Sequence, residues 1–438
     1  MAEGAPEKLE RTGTPGPFAF RAFVASQFLG AFNDNAFKML VLLLVAGLAA
    51  GRDTLPWVEA SWAARTWGQA APAFLFALPF VVLGPLTGAL ADRLSKTRIV
   101  RAANLLEVGV MGCGTTAFLA RSYDGLLLTV LLMGAQSALF GPAKYGIIKE
   151  LCGARHLARA NAVIQASTMV AILCGNVVGG AFAERLGGAL LPWAGAWYVG
   201  FALLAWLASL AIPVLPPAAP ERVISASPLR ELRGHLRAVR GDRLLGLALA
   251  GSAFFYLVAA LFVSVVVAYG TWLGVPESSI GLLNAAIILG IVIGAVVAGR
   301  LGRGQDAASE VPERLLRVAP AGLLVMLCGT LLVHLEPTSL WLLRAALLLV
   351  GVGAGLFSIP IRVLVQGRPR EGDRGSIQGL GETLDFVGIL LAGPLFWLLE
   401  KGLELGPPQL FLAGTALLVG ALAVSALLGP RAMAAGSA

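Results

Sequence analysis

Long uncharged runs of apolar residues alternate along the chain with short polar segments. Two of these runs, Leu244 to Pro276 and Ser278 to Gly299, each exceed the ~20 residues that a helix needs to cross a ~30 Å hydrocarbon core. Because backbone polar groups in lipid must be paired internally, such runs form helices. Dividing the chain at its polar interruptions predicts twelve membrane spans, which begin near Phe20, Trp67, Ile99, Leu126, Ala160, Ala189, Leu244, Ser278, Leu316, Leu340, Ser376 and Leu410.

Lysine and arginine are distributed unevenly between the two sides of these spans. The loops after the even-numbered spans hold 20 of them, whereas the loops after the odd-numbered spans hold 5. Loop charge sets orientation, so we expect both termini in the cytoplasm, with tails over residues 1–19 and 431–438. The first tail leads directly into a long helix and has no short apolar region with a cleavage site, so we expect no signal peptide.

Composition agrees with a membrane protein. The chain of 438 residues is 57% hydrophobic and only 13% charged, and its mean hydropathy is +0.81. A water-facing surface needs far more charge, which excludes an ordinary soluble globule. The formal net charge of +8 comes from the loops of one side, so we expect no nucleic-acid partner.

Residues 215–243 interrupt the pattern between the sixth and seventh spans. Prolines stop a helix at Pro213, Pro216, Pro217 and Pro220. Arginines then recur at helical spacing, at Arg230, Arg233, Arg237, Arg240 and Arg243. This pattern predicts a cytoplasmic connector with a basic amphipathic helix on the anionic leaflet. A solvated linker, positively charged only because of its side of the membrane, is the alternative.

An internal repeat divides the chain into two halves. The segment that begins FGPAKYGII at Phe140 is echoed by FSIPIRVLV at Phe357, so that Pro142 and Pro360 lie 218 residues apart. An offset near half the chain predicts two homologous bundles of six helices, at 20–214 and 244–430. Since six is even, the halves share one orientation. This all-α arrangement with a parallel repeat is that of the major facilitator fold.

The loop between the second and third spans, GALADRLSKTR, resembles the signature loop of major facilitators. Gly88 permits close helix packing, while Asp92 can accept hydrogen bonds from an adjacent helix N-terminus or from Arg93 and Arg98. These four residues are predicted to gate the conformational change. The alternative is the ordinary basic composition of a cytoplasmic loop.

The first span contains polar residues deep in the bilayer. It carries Asn33, Asp34, Asn35 and Lys38, and Asp34 lies ~21 Å from the start of the span. An ionised Asp there costs ~2.5–3.5 kcal/mol on insertion scales, so it should face an interior cavity and contact substrate. Asp34 and Lys38 also have the spacing and order of an ion pair. A self-neutralised pair that only packs is the alternative.

Two cations follow the repeated prolines. Lys144 stands two residues after Pro142, and Arg362 two residues after Pro360. Related by the repeat, they could flank an anionic headgroup, with Gln136 as a neutral donor. For either cation the alternative is a side chain that extends to the inner interface, and for Arg362 the two interpretations are equally favoured.

The eleventh span carries Glu382 and Asp385 on one helical face, and their repeat partners are Gln165 and Thr168. Two acids in a lipid-embedded helix must line a cavity or pair with a base, and either could titrate if transport is coupled to protons. No cofactor, metal or catalytic residue is expected. The three histidines lack metal-ligand spacing, and the sequence contains no nucleotide-binding loop, so the chain is predicted not to be an enzyme.

A more specific resemblance rests on AFNDNAFK in the first span, and on GPAKYGIIKEL and ANAVIQASTMVAILCGNVVGG in the fourth and fifth. These segments resemble the bacterial lysophospholipid transporter family of the major facilitator superfamily. The resemblance implies inward flipping of lysophospholipids such as lysophosphatidylethanolamine across the inner membrane for reacylation. Some members are fused to an acyltransferase and acyl-carrier-protein synthetase. Here we expect those activities on a separate chain, and the transporter as a monomer.

By the same resemblance, Asp34 and Lys144 fall on charged positions implicated in substrate passage, and Glu382 on a polar site of the C-terminal half. The family's basic residue in the seventh span has no counterpart here, because Leu244 to Ala268 is uncharged, and Arg362 is a candidate substitute. Two other functions stay open. The buried acids suit a proton-coupled exporter of drugs or metabolites, and the basic connector suits a non-transporting scaffold for a lipid-modifying enzyme.

Overall fold

The computed structural model describes residues 17–49, 70–153, 156–185, 191–224, 227–275, 277–301, 313–334 and 338–436. The described chain is helical and contains no β-strand. The helices of the N-terminal half are α1 (Pro17–Ala49), α2 (Ala70–Arg93), α3 (Lys96–Leu119), α4 (Tyr123–Cys152), α5 (Leu157–Arg185) and α6 (Leu191–Leu210). The connector contains α7 (Pro228–Val239).

The C-terminal half also contains six described α-helices. Its helices are α8 (Arg243–Trp272), α9 (Glu277–Leu301), α10 (Glu313–Leu332), α11 (Leu340–Gly367), α12 (Arg374–Trp397) and α13 (Pro407–Gly436). Each of the twelve predicted spans coincides with one of these helices, and the predicted starts at Trp67 and Ala189 lie outside the described residues. Two tails differ from prediction. Helix α1 already begins at Pro17, with residues 1–16 outside the described part, and α13 continues through Gly436 because its apolar, alanine-rich sequence favours helix.

Ten described helices are long and apolar enough to cross a membrane, namely α2 to α6, α8, α9 and α11 to α13. Helix α10 has a shorter apolar stretch, Arg317–Leu332. Helix α1 is 33 residues long but includes Arg21, Asp34 and Lys38. With these two, the chain is a multi-pass membrane protein with the twelve-helix architecture of the major facilitator fold.

The two halves meet at the end of the molecule that carries the connector, which we call the connector end. There α2 and α12 approach at glycines: a Cβ at Gly88 would lie 2.7 Å from the Gly375 carbonyl oxygen, and one at Gly375 would lie 2.6 Å from the Gly88 oxygen. A side chain larger than hydrogen would push the helices apart. The contact extends inward to the rings of Phe80 and Phe386, which stack at 3.7 Å between centroids.

Apolar side chains from both halves close the connector end. One buried cluster combines Ile147 of α4 and Leu157 of α5 with Ala295 and Ala298 of α9 and Val363 of α11. Polar bonds join the same helices: Lys149 Nζ donates to the Gly367 carbonyl at 2.8 Å, and the Asn161 and Gln366 amides bond each other reciprocally. The connector end is therefore tightly packed across both halves.

Within the C-terminal half, α9 and α11 touch backbone to backbone. A Cβ at Gly290 or Gly294 of α9 would overlap carbonyl oxygens of α11, and one at Gly351 or Gly355 of α11 would overlap carbonyl oxygens of α9. In lipid, such close approach supplies the dispersion contacts that hold helices together. These glycines are spaced four residues apart, which keeps them on one helical face.

The connector helix α7 exposes cations and buries its polar inner face. Arg230, Arg233 and Arg237 are exposed, whereas Glu231 and His235 are buried against the transmembrane bundle. The exposed arginines agree with the predicted amphipathic helix. Whether they contact an anionic leaflet stays a prediction.

Candidate functional site

A group of polar side chains from α1, α3 and α4 lies inside the N-terminal half. Asn33 donates to Glu107 Oε1 at 2.9 Å, and Ser137 donates to Asp34 Oδ2 at 3.0 Å. The Glu107 side chain packs over Gly30. A Cβ at Gly30 would lie only 3.2 Å from Glu107 Oε2. Asp34 is half-buried and keeps Oδ1 without a hydrogen-bond partner. One carboxylate oxygen of Asp34 is therefore left unpaired inside the protein.

Lys38 does not form the expected ion pair with Asp34. Its ammonium lies 3.9 Å from the centroid of the Phe76 ring of α2, a cation–π contact. No ion pair joins Asp34 to Lys38 among the described residues, although the two attract each other electrostatically. The spacing permitted a pair, but the aromatic face of a neighbouring helix holds the ammonium instead.

Lys144 lies between the polar group around Asp34 in the N-terminal half and the acids of α12 in the C-terminal half. We call the two groups together the polar cluster. It is buried on α4, and its ammonium is 5.3 Å from the Tyr145 ring centroid. It attracts Asp34 on one side and Glu382 on the other. Helix α4 continues without a break through Pro142, and the Glu382 carboxylate packs directly against Gly141, where a Cβ would overlap it.

Arg362 is the centre of the C-terminal part of the cluster. Its guanidinium donates a hydrogen bond to the Tyr256 hydroxyl of α8 and lies 4.6 Å from the Tyr145 ring centroid of the N-terminal half. It also attracts Asp385 and Glu382. With Tyr145, Glu382 and Asp385 it lines a cavity of about 20 Å³, large enough for about one water molecule. Arg362 is thus held inside the protein and does not extend to the interface.

Several oxygens in this cavity lack partners. Glu382 Oε2 and Asp385 Oδ1 accept no hydrogen bond in the described structure, although Asp385 bonds Ser252 through its side chain. Buried carboxylate oxygens are costly to leave unpaired, which marks this cavity as a place for water or ligand. Among the described residues, no three His, Cys, Asp or Glu side chains are grouped so as to hold a metal.

Three other predicted site residues lie at the edge of this arrangement or apart from it. Asn35 donates to the Ala31 carbonyl of its own helix at 2.6 Å, and its Cβ faces Gly175 of α5. Gln136 donates to the Ala103 carbonyl of α3 at 3.0 Å, and its Oε1 accepts from the Ser137 hydroxyl at 3.1 Å, the same hydroxyl that donates to Asp34, so Gln136 borders the Asp34 group. Gln165 is buried on α5, and no described hydrogen bond connects it to the cluster.

Asp92 binds across the connector end. Its fully buried carboxylate accepts hydrogen bonds from Gly375 N at 2.5 Å and from Ser376 N and Oγ at 2.8 and 2.7 Å. These donors are the first residues of α12, where a helix has free N–H groups and partial positive charge. The other predicted partners, Arg93 and Arg98, are exposed. Of the two kinds of partner expected for Asp92, the structure thus shows the helix N-terminus, and no described hydrogen bond joins Arg93 or Arg98 to its carboxylate.

The arginine that reaches Asp92 comes from the connector. Arg222 Nη1 lies 3.2 Å from Asp92 Oδ2 and 3.4 Å from Asp373 Oδ1, so it contacts both halves. Arg222 Nη2 lies 3.4 Å from His235 Nε2, and Glu231 Oε2 lies 3.5 Å from the same nitrogen. Burial and the adjacent Arg222 lower the pKa of His235 to about 4. We call Arg222, Glu231 and His235 the connector clasp.

Attachment of the clasp should weaken as the pH falls. The detached connector takes up a proton on His235 near pH 6.5, whereas the docked connector resists it down to about 4. The contribution of His235 to docking of the connector is therefore fully present above pH 6.5 and is lost progressively between pH 6.5 and about 4. Protonation would place positive charge against Arg222, which Glu231 and Asp373 offset only in part.

We expect a spin label at Gly234→Cys, in a background without the natural cysteines, to become more mobile as the pH falls from 6.5 to about 4. With His235→Gln, mobility should not depend on pH, and an equal response would contradict the assignment.

The prediction overlooked Glu107, Tyr145, Tyr256 and Arg222. Glu107 lies eight residues into the third predicted span and could have been found by the depth argument applied to Asp34. Tyr145 and Tyr256 are uncharged and give no such signal. Arg222 lies in an irregular loop, so no periodicity relates it to Asp92. Tyr256 stands on the uncharged seventh span, and its hydroxyl accepts a hydrogen bond from Arg362 of α11, so substitution by Arg362 for a basic residue in that span stays a prediction.

Comparisons with known proteins agree with this architecture. The model of the Major Facilitator Superfamily matches residues 23–394. The chain is 30% identical to a protein named lysophospholipid transporter LplT from Serratia proteamaculans (strain 568), over 84% of this chain and 87% of that one. It is 31% identical to the protein of the same name from Shigella boydii serotype 4 (strain Sb227), over 83% and 85%.

Solved structures show the same fold at low identity. The human organic anion transporter MFSD10 aligns with a TM-score of 0.71 at 20% identity, over 93% of this chain and 99% of that one. A bacterial homologue of the iron transporter ferroportin, in an outward-facing state, aligns with a TM-score of 0.69 at 15% identity, over 96% and 100%. Together with the paired six-helix halves and the charged cluster between them, the sequence matches establish a transporter, and the chain belongs to the lysophospholipid transporter family of the major facilitator superfamily.

Proposed function

We propose that this transporter moves lysophospholipids inward across a bacterial inner membrane, with both termini in the cytoplasm. The observation that carries the proposal is one cluster that holds Lys144 and Arg362, one cation from each half, beside acids with unpaired oxygens. The names of the relatives from Serratia and Shigella support the same substrate class. Rocking of the two halves would expose the cluster to each side in turn.

The chemistry of the cluster fits a zwitterionic headgroup. A phosphate takes charge-assisted hydrogen bonds from cations, and the planar guanidinium of Arg362 can bind two of its oxygens at once. An ethanolamine ammonium needs acceptors, which Asp34 Oδ1 and Glu382 Oε2 provide. A ligand that presents both charges would satisfy groups that the protein leaves unpaired.

The acyl chain of the substrate would stay in or near lipid during passage. Transfer of the chain into water-filled space forfeits ~0.8 kcal/mol for each CH₂ group. The headgroup alone would then travel through the polar cluster. On the cytoplasmic side, a separate acyltransferase with acyl-carrier-protein synthetase activity would consume the lysophospholipid by reacylation.

Vesicles that contain the purified protein test this function. Labelled lysophosphatidylethanolamine is added outside vesicles in which the cytoplasmic face of the protein points to the interior. Movement of the labelled lipid to the inner leaflet is then timed. We expect faster inward movement than in protein-free vesicles, while labelled diacyl phosphatidylethanolamine moves no faster. Equal rates with and without protein would refute the proposal.

A proton-coupled exporter is the second candidate, favoured by the carboxylates of Asp34, Glu382 and Asp385, each with an oxygen that accepts no hydrogen bond. Such acids could carry a proton across during the transport cycle. The same vesicles distinguish the candidates when a proton gradient is imposed and then collapsed with an ionophore. An exporter loses solute efflux on collapse, whereas lysophospholipid flipping that is not proton-coupled continues.

A further inference from the structure

An apolar groove of about 650 Å³ lies within the C-terminal half, between α8, α10, α11 and α13. Its inner end is formed by aromatic and aliphatic side chains, including Phe254, Leu323 and Phe357. Arg317 is the charged residue of its lining, and Ser425 contributes a hydroxyl. The groove is separate from the small polar cavity around Arg362.

The groove has the length of one leaflet. Leu244, Arg317 and Leu364 line it near the connector end, whereas Phe254 and Phe357 line it deeper in the bundle. Leu244 and Phe254 are ten residues apart on α8, which corresponds to about 15 Å along the helix. That is half of a hydrocarbon core of ~30 Å. The groove thus runs from the membrane interface at the connector end to about the bilayer midplane.

The groove is open on its outer side. Ala250 of α8 and Ala416 and Gly420 of α13 line it and are exposed. An unfilled groove of this size would deprive its lining of dispersion contacts. Because these helices lie in a bilayer, the material at the opening is hydrocarbon chain, and a chain that enters restores those contacts.

Arg317 adds a specific headgroup contact. It is exposed in the first turns of α10, where the groove meets the interface, and no described hydrogen bond or ion pair engages it. A phosphate at this level would accept charge-assisted bonds from the guanidinium. A chain that is apolar along one leaflet and carries phosphate at its end is a phospholipid.

The wall of the groove also touches the polar cluster. Ile361 lines both cavities, and a Cβ at Gly251 would lie 3.0 Å from its Cδ1. An occupant would therefore support the face of α11 next to Arg362. Since one layer of side chains separates the two cavities, a lipid enters the groove from the bilayer and not from the cluster.

We propose that this groove is a resident phospholipid site: one acyl chain of a diacyl glycerophospholipid from the leaflet at the connector end fills it, and the lipid phosphate binds Arg317. This lipid is not cargo, so the site exists whatever the protein transports.

Photocrosslinking tests the site in the full chain, in nanodiscs of phosphatidylethanolamine and phosphatidylglycerol. The probe is phosphatidylglycerol with a diazirine midway along one acyl chain, and crosslinked peptides are mapped by mass spectrometry. We expect labelling on α8, α10 and α11 at residues of the groove. Arg317→Ala should lower this labelling several-fold, and Arg317→Lys, which keeps the charge, should lower it less.

A matched pair of substitutions on α13 controls for general effects. Ala416→Phe places a ring in the groove and should suppress labelling, whereas Ala423→Phe, exposed on the same helix outside the lining, should not. Equal labelling of the two Phe variants, both folded by gel filtration, would overturn the proposal. It would also be overturned if a lysophosphatidylethanolamine probe labelled the groove and the diacyl probe did not.

Discussion

Replacement of Arg362 by Ala is expected to lower the initial rate of lysophospholipid transport by on the order of tenfold or more, since a charge-assisted phosphate contact is lost. The Tyr256 hydroxyl would also lose its partner. Glu382 and Asp385 would remain inside the protein without their shared cation. Removal of one partner from a buried charge group costs about 3 kcal/mol, so the unfolding temperature should fall as well.

A loss of stability must be separated from a loss of substrate contact. Arg344→Ala removes an arginine from the same helix, one that lies over the Trp341 ring near the opposite end, and transport should persist. Arg362→Met combined with Glu382→Gln and Asp385→Asn removes cation and acids together, so the unfolding temperature should recover. If transport recovered too, Arg362 would be only a counter-ion and would not touch substrate.

Asp92→Ala is expected to open the connector end. The substitution removes acceptors for two backbone N–H groups of α12, the Ser376 hydroxyl and Arg222. Each hydrogen bond to a charged group contributes ~1.5–3 kcal/mol, and these bonds exist only while the two halves are closed there. The loss of two such bonds alone, at the lower value, would reduce the ratio of closed to open molecules by on the order of a hundredfold.

Spin labels at exposed Arg98 and Arg370, one on each half, would report this change as longer distances by double electron–electron resonance. The four natural cysteines are first replaced by serine. Arg93→Ala is the matched control, because its exposed side chain lies beside Asp92 without binding it, and its distances should match those of the parent. Unchanged distances in Asp92→Ala would mean that the apolar cluster alone holds the halves together.

The twelve helices could be predicted because lipid leaves an apolar run of twenty residues little alternative to a helix. The same rule identified Asp34, Lys144 and Glu382, since an ionisable side chain at membrane depth needs a polar surrounding wherever it lies. It would have identified Glu107 had it been applied to the third span. These inferences need only the position of a residue within its own helix.

Partners were harder to predict, because they depend on neighbouring helices. Lys38 contacts the Phe76 ring in place of Asp34, and Asp92 binds a loop arginine 130 residues away in sequence. The apolar groove of the C-terminal half could not be predicted from the sequence at all. Its volume is the space left by side chains of four helices, and no periodicity in any one of them encodes it.

The contacts between the backbones of α9 and α11 make one flank of the C-terminal half stiff. Gly290 and Gly294 already hold the two helices at their smallest separation, so a tilt of one must carry the other with it. Another face of α11 borders the groove, where a fluid hydrocarbon chain would replace rigid side chains. That flank would be pliable, and bilayer thickness or chain saturation should alter the speed of the transport cycle without any change in the protein.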